Sequence, residues 1–339
     1  MTTKQLLYSL AASLTFIPIS HAAVYNCGNS SSCGANDVNC KRTHRVCNVL
    51  KSQSACAQSK LGSFYWEMGN GTNVLAAGRV GNGPLTNPNN TINIASASKW
   101  IYATYAEARG LANSPAQKRL LTMRGGHRAF TPTRCSAKNQ DGSMQTVSEC
   151  LQKPGNQYIN GSQVNKFYYN GGGMQDHAVN VAGLGGFSSN NIGREYNSVL
   201  KNIGFGFSLP AVAGGMKMTP KNYGLFLQGI VRNQWKTIGY LGKDSIAATP
   251  PDASDGKQNP SKTNMRYSYG HWVESHTTPL LGGPKGDGAF SSPGVFGFYP
   301  WISKNKSFYG LLSRYNRQSD AFRQSAACGQ HMRKAWLGN

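Results

Sequence analysis

The chain has 339 residues, of which 35 are Lys or Arg and only 13 are Asp or Glu, so its formal net charge is +22. Hydrophobic residues make up 39% of the sequence, which is enough to build a substantial core. Beyond the N-terminus no stretch approaches twenty apolar residues, and this excludes a membrane-spanning helix from the prediction.

The excess of basic residues predicts attraction to anionic partners, such as cell-envelope polymers. These residues are scattered along the chain, and no Lys/Arg run alternates with aromatic residues. We therefore predict solvation and surface adhesion, with no specific binding of nucleic acid.

Residues 1–22 have the pattern of a secretory signal peptide. Lys4 supplies the positive start, an apolar stretch runs from Leu6 to Ile19, and Ser20-His21-Ala22 provides small residues at a cleavage site. Removing this segment takes away one charge and leaves +21. The pattern predicts an exported protein, either periplasmic or secreted.

Eight cysteines lie after the predicted cleavage site, and an even number in an exported chain indicates disulfides. Residues 23–60 form a Cys-rich N-terminal segment, in which Asn48 to Ser59 is predicted to be helical. A zinc site is disfavoured because no Cys-x-x-Cys pair occurs, and we predict no metal and no cofactor. The spacing leaves the pairing open. The cysteines are Cys27, Cys33, Cys40, Cys47, Cys56, Cys135, Cys150 and Cys328.

The next residues predict a β-hairpin followed by a helix. Strand-like runs at 63–68 and 74–80 flank a Gly-Asn-Gly turn. An alternating segment, Ile92 to Ile94, then leads to Ser96 at a helix start, with Lys99 three residues later and Gly110 at the C-cap. Three residues are most of one turn, so the hydroxyl and the amine should lie on nearly the same face.

The spacing of Ser96 and Lys99 suits a nucleophile and its base, but it is not unique in the chain. Ser198–Lys201 and Ser303–Lys306 repeat it without the same helix start, and a serine in this position can also be an ordinary N-cap. A serine hydroxyl needs an adjacent base, and a lysine can act as that base when burial lowers its pKa.

The middle of the chain, about 96–263, is predicted to be a mainly helical lobe. Its loops carry Tyr168 and Asn170 just before three glycines, where a phenol and an amide can reach a pocket wall. Further on, Thr219 is a predicted N-cap with Pro220 at the first helical position of a helix ending near Arg232.

The C-terminal part returns to strand patterns. Runs at 267–274, 295–302 and 308–315 are predicted strands, and a final helix is predicted from Asp320 to Trp336. The predicted fold class is therefore α/β (α+β), with helices flanking an antiparallel sheet and a mainly helical lobe beside it. The sheet is built from 61–95 and 264–339, and residues 61–339 form one domain.

Three short motifs follow one another along the chain: Ser96-x-x-Lys99, Tyr168-x-Asn170 and Ser292-Pro293-Gly294. Their order and spacing resemble those of the penicillin-recognising serine hydrolases, and in particular the branch of class C β-lactamases, related esterases and D-alanyl-D-alanine peptidases. The resemblance covers roughly residues 60–339 and implies a β-lactamase-like fold. It also implies that the first and last helices pack together, which would bridge Cys328 to Cys47 or Cys56.

The resemblance further implies catalytic roles. Ser96 would attack a carbonyl and form an acyl-enzyme, Lys99 would be the base that activates it, and Tyr168 would be the second acid/base. Asn170 would bind the substrate amide. The backbone N–H groups of Ser96 and Val295 would hold the oxyanion.

The third motif departs from the family pattern. It usually begins with Lys or His, whereas here Ser292 and Gly294 flank a proline and supply no cation. His271 and His276 lie near it in sequence, but each is predicted to be an ordinary strand or loop histidine. The departure favours an esterase or amidase acting on a less charged acyl group.

Two alternatives remain open. One is a D-alanyl-D-alanine carboxypeptidase or β-lactamase that acts on wall peptides or β-lactams. The other is a catalytically inactive, cationic protein that uses the same scaffold to bind the cell envelope. The predicted partner is a small-molecule or peptide acyl substrate, with an anionic envelope polymer as a second.

Overall fold

The computed structural model describes Cys27 and residues 33–250, 252–253, 264–274 and 284–338. Within these ranges eight strands form one antiparallel sheet in the order β2-β1-β11-β10-β9-β8-β7-β6. Its strands are β1 (Phe64–Gly69), β2 (Val74–Val80), β6 (Ile246–Ala247), β7 (Arg266–Tyr267), β8 (Trp272–Val273), β9 (Phe290–Ser291), β10 (Tyr299–Ile302) and β11 (Tyr309–Ser313). Both ends of the chain therefore meet in the sheet, and the predicted fold class is confirmed.

Helices cover both faces of this sheet, and a smaller sheet lies beside it. The helices are α1 (Val38–Ser52), α2 (Gln58–Leu61), α3 (Ser98–Ala108), α4 (Pro115–Leu121), α5 (Val147–Gln152), α6 (Gly172–Asn180), α7 (Ser189–Val199), α8 (Pro220–Val231) and α9 (Ala321–Leu337). The small sheet has the order β3-β5-β4, from β3 (Ile92–Asn93), β4 (Gly206–Phe207) and β5 (Met216–Met218).

Side chains that alternate along β1 contribute to a hydrophobic core on each face of the main sheet. Trp66 packs in a core with α1 and α9, while Tyr65 packs in the core that contains α3 and α8. Successive side chains of a strand point to opposite faces, so one strand serves both cores. The side chain of Glu67 lies on the α8 side, where it accepts hydrogen bonds from the hydroxyls of Tyr65 and Tyr309.

Helices α8 and α9 agree with the sequence prediction, whereas the first helix differs from it. Helix α8 begins at Pro220 with Thr219 capping the N–H of Asn222, and α9 spans nearly the predicted range. The first helix differs, since α1 begins ten residues before the predicted Asn48. Asp37 accepts a hydrogen bond from the N–H of Cys40, and this cap starts the helix inside the cysteine-rich segment.

The predicted hairpin is present as β1 and β2, but two predicted strands are shorter than expected. The run 267–274 is divided into β7 and β8 by a turn at Gly270, which has a φ of +69°. The run 295–302 keeps only β10, because Gly297, with a φ of +97°, belongs to the preceding turn. Glycine adopts this left-handed backbone without the steric cost that other residues have.

Four disulfides link cysteines of the described residues. They are Cys27–Cys47, Cys33–Cys40, Cys56–Cys328 and Cys135–Cys150. The third joins the N-terminal segment to α9. Its Cys56 is one of the two partners expected for Cys328. No helix in the described ranges is long and apolar enough to cross a membrane. The predicted signal peptide lies outside these ranges.

Replacing both Cys56 and Cys328 by Ser is expected to destabilise the fold strongly. Their sequence separation of 272 residues closes a far longer loop than the 7-residue separation of Cys33 and Cys40. In the chain-entropy account the longer loop stabilises by about 3 kcal/mol more. Urea unfolding of the two double variants measures this difference, and equal losses would contradict it.

Candidate active site

Ser96 lies at a tight turn between the small sheet and α3. Strand β3 pairs with β5, and the following Ile94 donates its N–H to the carbonyl of Met216 at 3.2 Å. The next residue, Ala95, has a φ of +46°, and its N–H is held by the Asn93 side chain at 2.8 Å. Such a backbone is uncommon for a residue with a Cβ and costs free energy, so the fold holds this turn against strain.

The Lys99 amine lies beside the Ser96 hydroxyl. Nζ is 2.9 Å from Oγ of Ser96, and it donates a second hydrogen bond to the carbonyl oxygen of Ala213 at 2.8 Å. Lys99 is buried, and burial lowers its pKa to about 7 because the charged form loses its hydration. The amine can therefore be neutral near physiological pH and accept a proton from the serine.

The carbonyl that orients this amine belongs to the loop between β4 and β5. Ala213 is fully buried, and the following Gly215 donates its N–H to the carbonyl of Ala211 at 2.7 Å. The contact of this carbonyl with Lys99 spans 114 residues and depends on the turn from Ala211 to Gly215, so no local pattern in the sequence predicts it.

The structure brings Tyr169, rather than the predicted Tyr168, to the serine. The Tyr169 side chain contacts the side chains of Ser96 and Trp272, and its ring centroid lies 5.1 Å from Nζ of Lys99. Burial raises the pKa of Tyr169 to about 12, and the contacts with Ser96 and Trp272 oppose this rise. The phenol is therefore protonated near neutral pH, beside both the hydroxyl and the amine.

Tyr168 faces a different neighbour. Its ring lies over the guanidinium of Arg128 at 4.4 Å, and its N–H donates to the carbonyl of Met123 at 2.9 Å. The adjacent Asn170 is also used by the loop itself. Its amide donates to the carbonyl of Phe130 at 3.0 Å and accepts from the N–H of Gly172 at 2.8 Å. The observed side chain of Asn170 thus holds the loop in shape.

The third motif packs directly against the turn that carries the serine. The hydroxyl of Ser292 is 3.2 Å from the carbonyl of Gly270 and 3.4 Å from that of Ser96, and it can donate to either. A Cβ on Gly294 would lie 2.2 Å from the carbonyl oxygen of Ile94, so only glycine allows this close approach. The next residue, Val295, is 43% exposed.

His271 does not supply the cation that the third motif lacks. Its Nε2 accepts the N–H of Gly242 at 3.0 Å, so Nδ1 carries the proton and donates to the carbonyl of Tyr269 at 2.7 Å. Burial lowers the pKa of His271 to about 4, and the ring stacks on Trp100. His271 is therefore a neutral core residue. His276 lies outside the described residues.

The cluster of Ser96, Lys99 and Tyr169 holds a hydroxyl, an amine and a phenol side by side. Within the part of the chain that the structure describes, no three His, Cys, Asp or Glu side chains come together in a way that could hold a metal ion.

Comparison with known proteins gives structural likenesses only. No family model and no curated relative matches the sequence. A solved hydrolase with promiscuous acyltransferase activity, EstCE1, is 13% identical with a TM-score of 0.62, over 88% of this chain and 99% of that one. The D-amino acid amidase of Ochrobactrum anthropi is 12% identical with a TM-score of 0.60, over 88% and 99% of the two chains.

A third solved structure, of a protein from Bacteroides dorei that is named as a β-lactamase, is 18% identical with a TM-score of 0.54. The match covers 81% of this chain and 93% of that one. At these identities the likeness shows the fold and not the substrate. The chain has the fold of the β-lactamase-like serine hydrolases, and the resemblance seen in the sequence is confirmed at that level.

Proposed function

We propose that this protein is a serine hydrolase that forms an acyl-enzyme on Ser96 and cleaves a neutral ester or amide. The observation that carries the proposal is the buried amine of Lys99, 2.9 Å from the Ser96 hydroxyl. An unprotonated amine at this distance can take the proton of the hydroxyl as the oxygen attacks a carbonyl carbon.

In the proposed reaction Ser96 Oγ bonds to the acyl carbon while Lys99 accepts the hydroxyl proton. The backbone N–H groups of Ser96 and Val295 stabilise the oxyanion. The bond to the leaving group then breaks, and Tyr169 gives its proton to the departing oxygen or nitrogen and recovers one from Lys99. Water next attacks the acyl carbon and gives one proton to Lys99 or Tyr169. The bond between the acyl carbon and Ser96 Oγ then breaks, Oγ takes a proton from the same groups, and the acid leaves.

The arrangement of the third motif supports a neutral acyl group. The Ser292 hydroxyl is within donating distance of two backbone carbonyls, and His271 is neutral and buried. We propose that Ser292, Gly294 and Val295 line the acyl-binding site and recognise the acyl group by its shape. A substrate carboxylate would gain no charged partner from these residues.

A panel of three substrates tests this proposal against the carboxypeptidase or β-lactamase alternative. The panel consists of a short-chain aryl ester, a neutral aryl amide and a fluorescent penicillin. We expect hydrolysis of the ester or the amide and no covalent capture of the penicillin. Stable penicillin labelling without ester or amide hydrolysis would favour the alternative.

Exchanging Tyr169 for Phe is expected to lower kcat by about 10²-fold, because general acid–base catalysis contributes about 10²–10⁴-fold. Tyr168→Phe is the matched control, since it removes the same hydroxyl one residue away and should change kcat less than about threefold. Steady-state ester hydrolysis measures both variants. A larger loss in Tyr168→Phe would restore the assignment made from the sequence.

We also propose that the protein acts outside the cytoplasm. Four disulfides persist in oxidising compartments, and the residues 1–22 match an export signal. There a chain of this charge meets anionic polymers of the cell envelope. Adhesion to such polymers is a second proposed function. It is supported by the exposed Lys41, Arg45 and Lys51 of α1 and by the absence of acidic residues from α1 and α9.

A further inference from the structure

The outer surface of α1 and α9 is a basic face on the far side of the main sheet from Ser96. Both helices belong to the core that contains Trp66, whereas α3 belongs to the core on the opposite face. No Asp or Glu occurs within Val38–Ser52 or Ala321–Leu337. The basic residues of this α1–α9 face include the exposed Lys41, His44, Arg45 and Lys51 and the half-buried Arg42, His331 and Lys334.

Acidic residues are few in the lobe that carries this face. Outside residues 96–263 the chain has few of them, and most are engaged elsewhere. Glu67 and Glu274 are buried, and Asp287 pairs with the buried Arg333 at 2.8 Å. The two others, Asp37 and Asp320, lie at the N-terminal ends of the helices.

Cations of the α1–α9 face stand close enough to repel one another. Burial and the nearby charge of Arg45 lower the pKa of Arg42, and burial and the charge of Lys334 lower the pKa of His331. Repulsion between like charges destabilises a surface with an excess of one charge. A bound polyanion would supply a counter-charge.

The backbone beneath these cations is held rigidly. Two disulfides, Cys27–Cys47 and Cys33–Cys40, fasten α1, and Cys56–Cys328 joins its following segment to α9. The Arg45 side chain donates to the carbonyls of Ala335 at 2.7 Å and Trp336 at 3.2 Å, and so connects the two helices. A surface fixed in this way loses little conformational entropy when it binds.

We propose that the α1–α9 face is the surface through which this protein binds an anionic glycan polymer. This inference rests on the second proposed function, adhesion to anionic polymers, and is independent of catalysis at Ser96. A glycan is favoured over a nucleic acid because the disulfides indicate an oxidising, extracytoplasmic compartment, where phosphate- or carboxylate-bearing glycans are the abundant polyanions.

Two triple variants of the full chain, with equal loss of charge, test the proposal. The first carries Lys41→Gln, Lys51→Gln and Lys334→Gln. The control carries Lys138→Gln, Lys201→Gln and Lys217→Gln, which are exposed residues of the other lobe. Binding of fluorescent heparin is measured at several salt concentrations, and ester hydrolysis and thermal unfolding show whether each variant is folded.

We expect the first variant to lose about two to three units of the slope of log Kd against log salt, and the control to lose less than about one. Equal losses in both variants would overturn the α1–α9 assignment and leave adhesion standing. Absence of heparin binding by the wild type would overturn adhesion itself, and the inference with it. Tighter binding of a single-stranded oligonucleotide than of heparin would overturn the assignment of a glycan as the ligand.

Discussion

Ser96→Ala is expected to lower kcat for ester hydrolysis by about 10⁴-fold or more, because a nucleophile cannot be replaced by its neighbours. The residual rate would come from the oxyanion site and from substrate binding. Lys99 would remain in place, since its second hydrogen bond goes to the carbonyl of Ala213. The loss should therefore appear in kcat without a loss of folding.

The chain supplies a matched control for this variant. Ser198 is followed by Lys201 at the same spacing, and its hydroxyl donates to the carbonyl of Glu195 at 2.8 Å near the surface. Ser198→Ala should keep full activity. If Ser96→Ala retains more than about a tenth of the wild-type kcat, or if Ser198→Ala loses as much, the proposed nucleophile is refuted.

Lys99→Met is expected to lower kcat/KM by about 10³-fold, within the range for loss of a general base. It is also expected to abolish the pH dependence of the reaction near neutrality. Only the neutral amine can accept the serine proton, and burial lowers the pKa of Lys99 to about 7. The wild-type rate should therefore rise as the pH passes through about 7 and level off above it.

The pH profile of kcat/KM for a neutral ester measures this rise in rate, because such a substrate does not itself titrate. Lys201→Met removes the lysine of the second Ser-x-x-Lys sequence, which is exposed, and should leave the profile unchanged. A wild-type profile that falls as the pH rises through 7 would show that a protonated group is needed instead, and Lys99 would not be the base.

Local chemistry explains why the sequence predicted part of this site. The Ile92–Ile94 alternation and the good helix after it specify a strand followed by a helix start. The three-residue spacing then sets Ser96 and Lys99 on one face whatever the rest of the chain does. The capping pair Thr219 and Pro220 is local in the same way.

The choice between Tyr168 and Tyr169 is not local. Adjacent residues point in different directions, and the loop is oriented by the bond from Tyr168 N–H to the carbonyl of Met123 and by the bond from Asn170 to Phe130. These partners lie about forty residues earlier in the chain. A motif read from sequence fixes the spacing but not which of two phenols turns inward.

Long-range contacts also decided the other differences. The carbonyl of Ala213 reaches Lys99 across a separation of 114 residues, and the side chain of Trp272 reaches Tyr169 from the main sheet. The turn at Gly270 exists because this glycine packs against the carbonyl of Lys99, where a Cβ would lie 2.2 Å away. Its strand pattern alone predicted an uninterrupted strand.

The most direct test of the central claim is the position of a covalent adduct. The wild-type protein is treated with a fluorophosphonate, its intact mass is measured, and the modified peptide is sequenced by mass spectrometry. We predict one adduct per chain, on Ser96, and none in Ser96→Ala. An adduct on another residue, or no adduct at any pH at which the protein is folded, would contradict the assignment of Ser96 as the nucleophile.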